Sequence, residues 1–414
     1  MKPHPSACAL LGALAGCTPD FRVQGNPTIP LDLDLSTGVP TTRMAGSMGL
    51  ATATLDTGSP LSGLGMSWGC SEATAMELHS AAAPDRVRWV FLDEHPVCVA
   101  GDSAVVGGDL LARYEVIFAS DLSDPGLGCS QPLGCVQLLP GEIEPTRDLG
   151  CEGYVTISFR LLGGGTYLDA RGRKVDYLPT RVPLRVCVDP PLDYVRDCGR
   201  QGDPGCAVLG RDATLLLATG VQPLVVSSTA ATRLGLELSG APPTTLALPG
   251  SPAPGVTATP TVAIDRIAIV GQTVGDRDPG PCFELQRSRC LAQMDRNQGL
   301  CNQLLVGTDN ADNTSDAEGY IVLLDPTPAV TIADETPYLQ SARDEVRPRI
   351  ADADGFLGTQ VLTRLPALRI DYRGVSGDEI DTGPRVITRC APGTQPNSCQ
   401  AAVRRPITGS ACTR

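Results

Sequence analysis

The stretch Leu55-Asp56-Thr57-Gly58-Ser59-Pro60-Leu61-Ser62, LDTGSPLS, decides how this chain is read. The residues leading into it, GLATATL from Gly49 to Leu55, alternate apolar and polar side chains as a half-buried strand does, so an aspartate stands where a strand enters a Thr-Gly turn. A single carboxylate acts as a base or as an acid at a given moment, not as both, so acid–base work on a stable bond needs a second group beside it.

Further along, AVVGGDLLARYEVIFAS (Ala104 to Ser120) places buried residues before a Gly pair, a short helical turn and another strand. The order of elements recurs. In RDATLLLATGVQPLVVSSTAATRLGL (Arg211 to Leu236) an apolar strand meets a Thr-Gly turn, followed by a second strand and a short helix ending in Leu-Gly. Later, Phe356-Leu357-Gly358-Thr359-Gln360-Val361-Leu362 matches Val105-Val106-Gly107-Gly108-Asp109-Leu110-Leu111, so the chain carries two copies of one plan. Both turns trail a Pro-Leu pair, Pro60-Leu61 and Pro223-Leu224, one residue further on in the second copy. In the second copy Ala218 stands where the first has Asp56, with Thr219 and Gly220 kept and Val221 in place of Ser59.

On these residues the chain resembles the aspartic protease superfamily, pepsin-like and retropepsin-like. The resemblance implies a mainly β, two-lobed acid-protease β-barrel fold with short helices. Each lobe would carry one Asp-Thr-Gly-type turn with an apolar-apolar-Gly element behind it, and a substrate cleft would lie between the lobes. Asp56 would be the catalytic carboxylate, supported by Thr57, Gly58 and Ser59. In that assignment the Ser59 hydroxyl donates to the outer oxygen of Asp56, and the Thr57 hydroxyl reaches toward the opposite turn. The family's chemistry shares one proton between two carboxyls a few ångströms apart, because two like charges so close cannot both ionise. Ala218 brings a methyl group instead, so Ala218, Thr219 and Gly220 form a degenerate second site. Losing one member of an acid–base pair costs on the order of 10²–10⁴ in rate.

The expected function is therefore that of a pseudoprotease, which holds an extended peptide or an envelope partner in the inter-lobe cleft by strand addition without cutting it. An active aspartic endopeptidase is the first alternative, with Asp56 working beside an unrecognised acid or the Asp56 of a second molecule. The second alternative is an envelope scaffold whose cleft takes no ligand.

No other acid is expected to replace the missing one. A further Asp-Thr-Gly, Asp381 to Gly383, follows GVSGDE, which makes no buried strand, and comes after the second helix-Gly element; it reads as a tail turn. Asp212 opens the strand before Ala218 at the end away from the turn. Between Ser59 and Ala104 no clear glycine-rich hairpin appears that would cover a substrate. TDNADNTSDAEGY (Thr308 to Tyr320) lacks the glycine and spacing of an EF-hand and reads as a solvated acidic loop. His79 and His95 have no matching nucleophile, and no metal or cofactor is expected.

The composition agrees with short strands joined by turns: 414 residues with 45 Gly and 36 Pro but only 4% aromatics. A net charge of −13 without a basic stripe excludes a nucleic-acid partner. The opening MKPHPSACALLGALAGC has one Lys, a short apolar run and Leu14-Ala15-Gly16-Cys17, which resembles a bacterial lipobox. Residues 1–16 then read as a lipoprotein signal peptide, Cys17 as the lipidation site and 17–26 as a tether. A plain cleaved signal is the alternative. The remaining divisions are an N-terminal lobe over 27–149, a C-terminal lobe with insertions over 150–389 and a Cys-containing tail over 390–414. Thr18 after the acylated Cys implies a lipid-anchored protein of the cell envelope, at the outer membrane. Of 16 cysteines, Cys8 leaves with the signal and Cys17 goes to the lipid, so the remaining even number suits disulfides in an oxidising compartment. Local candidates are Cys129 with Cys135, Cys198 with Cys206, and Cys282 with Cys290.

Overall fold

A computed structural model describes residues 28–34, 38–46, 49–65, 75–78, 89–90, 98–99, 104–119, 129, 133–139, 154–158, 161, 164–169, 171–178, 180–189, 212–236, 240, 242–246, 256–260, 264, 266–270, 321–323, 330–333, 353–362, 364–365, 368–372 and 385–389. They are mainly β, with a short helix at Gly108–Leu111, another at Ser228–Leu234 and a 3-10 turn at Thr359–Val361. No described helix is long and apolar enough to cross a membrane.

The two copies of the turn sit in two different sheets. The first strand, Gly49–Leu55, lies between Pro40–Gly46, antiparallel, and Ala104–Val106, parallel, in register Ala53 with Ala104 and Leu55 with Val106. The second, Asp212–Leu217, lies in a nine-stranded sheet between Pro183–Asp189, antiparallel, and Gly355–Leu357, parallel, with Leu217 opposite Leu357. Strands next to a parallel partner and buried on both faces read as unbroken apolar runs rather than alternating ones. That is why AVV at Ala104–Val106 and GFL at Gly355–Leu357 are buried at every position.

A third sheet of six strands draws on both ends of the chain. Its order is Thr28–Pro30, Cys135–Leu139, Glu115–Ala119, Leu368–Asp371, Arg385–Arg389 and Tyr154–Ser158. Glu115–Ala119 and Leu368–Asp371 are the strands that follow the two Gly elements, and they pair antiparallel, Val116 with Ile370 and Phe118 with Leu368. At this seam Arg369 forms an ion pair with Glu115, both largely shielded from solvent. One apolar cluster runs through all of this, from Ile29 and Leu55 to Leu217, Leu357 and Ile370.

The helix Ser228–Leu234 starts and stops where its sequence directs. The Ser227 hydroxyl caps it by accepting from the Ala230 N–H at 3.2 Å, and Gly235 closes it at φ 66°, a left-handed conformation that glycine adopts without penalty.

One local expectation changes. The alternation of apolar and polar residues from Thr28 to Gly38 predicts one half-buried strand, but Pro30 has no N–H to extend the ladder, and the chain passes from Thr28–Pro30 to Asp32–Leu33, which pairs with Pro40–Thr41 in a different sheet. Ala75–Leu78 pairs antiparallel with Trp89–Val90, two strands without glycine. Cys129 and Cys135 are joined as expected, their Cα atoms 5.4 Å apart; Cys98 and Cys187 each also take part in a disulfide. Cys198, Cys206, Cys282 and Cys290 lie outside the described residues, as do Cys17, His79, His95, Thr308 to Tyr320 and Asp381 to Gly383.

Candidate functional site

The two Thr-Gly turns face each other, and their contacts repeat about a local two-fold relation. The Thr57 hydroxyl donates to the Leu217 carbonyl at 2.9 Å and accepts from the Thr219 N–H at 3.2 Å. Reciprocally, the Thr219 hydroxyl donates to the Leu55 carbonyl at 2.6 Å and accepts from the Thr57 N–H at 3.1 Å. Both threonines are buried, and each hydroxyl donates once and accepts once. A buried polar group left without a partner costs about 1–3 kcal/mol, so each threonine holds the other turn in place.

The Gly elements repeat as well. Asp56 N–H donates to Val106 and Ala218 N–H to Leu357, at 2.9 and 3.0 Å; Gly108 N–H donates to Ser59 and Thr359 N–H to Val221, at 2.8 and 2.7 Å. These equivalences put Ala218 at the position of Asp56 and Val221 at that of Ser59, as the sequence suggests. Pro60 corresponds to Gln222, through the bonds Asp109 N–H to Pro60 and Gln360 N–H to Gln222, which is the one-residue offset of the second Pro-Leu pair. The turns are in close contact. A Cβ added to Gly58 would lie 2.6 Å from the Ala218 methyl, and one added to Gly220 would lie 2.4 Å from the Asp56 carboxyl carbon.

Asp56 takes the backbone donors of both turns. Its Oδ1 accepts from the Gly58 N–H at 2.8 Å and also from the Gly220 N–H at 3.0 Å. By the local symmetry the Gly220 donor belongs to whatever acid stands at position 218; with alanine there, Asp56 takes both. Its Oδ2 is buried with no hydrogen-bond partner. Asp56, Thr57, Ala218 and Thr219 are all shielded from solvent. Ser59 does not play its expected part, because its hydroxyl donates to the Leu61 carbonyl at 2.8 Å, inside its own turn. Asp212 begins its strand opposite Cys187, five pairs away from the turn.

Two residues at this site gave no signal in the sequence. Arg181 is buried and donates from Nε to the Gly58 carbonyl at 3.2 Å. A charged residue just ahead of an apolar strand reads as solvated, and nothing local marks Arg181 as inward-facing. Tyr372, buried after Leu368–Asp371, has a phenol oxygen without a hydrogen-bond partner. Burial pushes that phenol up, and the Asp56 charge adds to the effect.

Burial likewise pushes the Asp56 carboxyl up, against the Gly58 and Gly220 N–H groups and the Arg181 charge, which pull it down. The folded chain thus keeps a proton that the unfolded chain releases, so stability falls as pH rises from the ordinary carboxylate range through the folded value, and is retained below that range. Asparagine imitates the protonated acid: its oxygen still accepts from both glycines, and its nitrogen stands where the acid carries hydrogen. Asp56→Asn is expected to melt at a higher temperature than the wild type at pH 7, with the gap closing toward pH 4. A wild type that is the more stable at pH 7 would show instead that the carboxylate is ionised and anchored.

Among the described residues no group of three or more His, Cys, Asp or Glu is placed to hold a metal ion. No protein-family model matches the chain, and comparison with curated proteins gives no match.

Proposed function

We propose that this protein is a two-lobed aspartic-protease-like chain that has given up hydrolysis and binds an extended peptide or envelope partner between its lobes. The observation that carries the reading is the pair of facing Thr-Gly turns with Asp56 on one and Ala218 on the other, where Asp56 receives the Gly220 N–H as well as its own. Such an arrangement keeps the turn geometry and removes the proton relay. Peptide hydrolysis draws a proton from water while another acid gives one to the carbonyl; a single carboxyl performs one of these roles at a time. The shielding of Asp56 supports the same conclusion, because water has to reach the base before it is activated. That shielding also favours a second reading, an envelope scaffold whose cleft takes no ligand. A lipid at Cys17 would tether either form to the outer membrane.

Incubating the full chain with an unfolded protein across acidic and neutral pH tests the loss of hydrolysis. The expected result is no cleavage above background, with wild type and Asp56→Asn indistinguishable. Cleavage that disappears in Asp56→Asn would make the protein an active endopeptidase. Amide exchange at Thr57, Gly58, Thr219 and Gly220, followed with and without extended peptides, separates the two non-hydrolytic readings: slowing by a peptide supports the binder, and no response to any supports the scaffold.

A further inference from the structure

Three large hydrophobic side chains stand exposed among the described residues, Leu33, Leu168 and Leu178. Two of them belong to one small element. Gly165–Leu168 and Lys174–Tyr177 form a two-stranded ribbon that joins none of the other described sheets. Its register sets Thr166 opposite Asp176 and Leu168 opposite Lys174, and side chains two residues apart share a face, so Leu178 continues that face beyond Asp176. All five of these residues are exposed, while Val175 and Tyr177 on the other face are half-buried. The open face therefore has a leucine near each end, about 13 Å apart at the usual strand rise, with Thr166 and the acidic Asp176 between them, the Thr166 hydroxyl donating to the Asp176 carboxylate at 2.8 Å.

The turn concentrates positive charge. Gly172, at φ 74°, donates its N–H to the Asp169 carbonyl, and Asp169 Oδ1 accepts from the Arg171 and Arg173 N–H groups at 2.9 and 2.8 Å. Asp169 Oδ2 pairs with Arg173 at 2.8 Å, and the aspartate side chain is fully shielded. What this end of the ribbon presents to solvent is Arg171, Arg173 and Lys174, in a chain whose net charge is −13.

The geometry points to this ribbon as a docking surface for an anionic lipid membrane. A flat face with an aliphatic side chain near each end needs no groove in its partner, and leucines enter the headgroup boundary while adjacent cations meet lipid phosphates. The charge of the whole chain opposes approach to such a surface, so contact falls to the local positive end. The inference is independent of what the Thr-Gly turns do.

The test is co-sedimentation of the full chain carrying Cys17→Ser, which removes any contribution of an acyl chain, with vesicles of phosphatidylcholine mixed with phosphatidylglycerol or of phosphatidylcholine alone. Binding to the mixed vesicles should weaken with salt and be at least about tenfold weaker on phosphatidylcholine alone. Leu168→Ser with Leu178→Ser, and separately Arg171→Glu with Lys174→Glu, should each weaken it by about tenfold or more while leaving the melting temperature close to that of the parent. Absence of vesicle binding, equal binding to both vesicle types, or binding untouched by either double variant overturns the assignment. So does a concentration-dependent dimer abolished by the leucine variant, which would make a second copy of the chain the occupant of this face.

Discussion

Ala218→Asp is expected to give a chain that cuts unfolded protein at acidic pH at least about 10²-fold faster than the wild type, and to lose that activity when Asp56→Asn is added. The backbone is already placed for it. Ala218 donates its N–H to Leu357 as Asp56 does to Val106, and the Gly220 N–H lies two residues after Ala218 as the Gly58 N–H lies two after Asp56. A carboxyl there recovers its own donor and meets Asp56 across the gap, and the two then share one proton. The Arg181 guanidinium beside Gly58 favours a single negative charge on the pair. The substitution should also lower stability by about 1–3 kcal/mol, since Gly58 packs against the Ala218 methyl and a second polar group enters a shielded site. That loss should be largest near neutral pH, where both acids tend to ionise, and smaller in acid; thermal melts across pH read it directly. A folded variant with coupled carboxyl titrations but no cleavage would favour the scaffold reading. Independent titrations would mean that the turns do not face each other in solution.

Gly358→Ala and Gly107→Ala should each cost about 3 kcal/mol or more, and the two together should prevent folding. A Cβ on Gly358 would come within 2.3 Å of the Pro223 and Val221 carbonyl oxygens, and one on Gly107 would come 2.3 Å from the Leu61 carbonyl oxygen. These are backbone atoms with no rotamer to move to; Val221 also accepts from the Thr359 N–H and Leu61 from the Ser59 hydroxyl. Gly172→Ala is the comparison: its left-handed backbone disfavours a side chain, but nothing lies within 4 Å, so it should cost only about 1 kcal/mol. Chemical denaturation of the three variants tests the contrast. Equal losses would mean that the close approach behind the turns is not what requires glycine.

The part of the site that the sequence revealed is the part made by short, self-contained motifs. The match of Val105 to Leu111 with Phe356 to Leu362 keeps its register in three dimensions, because each Gly element has to pass behind its turn with no side chain between. Ala218 was legible for the same reason. What stayed hidden depends on partners far away in sequence. Ser59 turns its hydroxyl to Leu61 because a carbonyl of its own turn lies within reach, and Arg181 comes to Gly58 because the strand after it packs against Asp212–Leu217. Apolar periodicity shows that Glu115–Ala119 and Leu368–Asp371 are strands. It carries no information on which strand each will meet.

The pairing of those two strands governs how the chain is assembled. Glu115 and its partner Arg369 are 254 residues apart, so one edge of Glu115–Ala119 waits unmated until nearly the whole polypeptide exists. Closing so wide a loop is entropically costly and slow, and an open strand edge invites foreign partners in the interval. Fragments ending between the two strands would keep that edge for good, so the chain has to reach Asp371 before Glu115–Ala119 is covered on both sides.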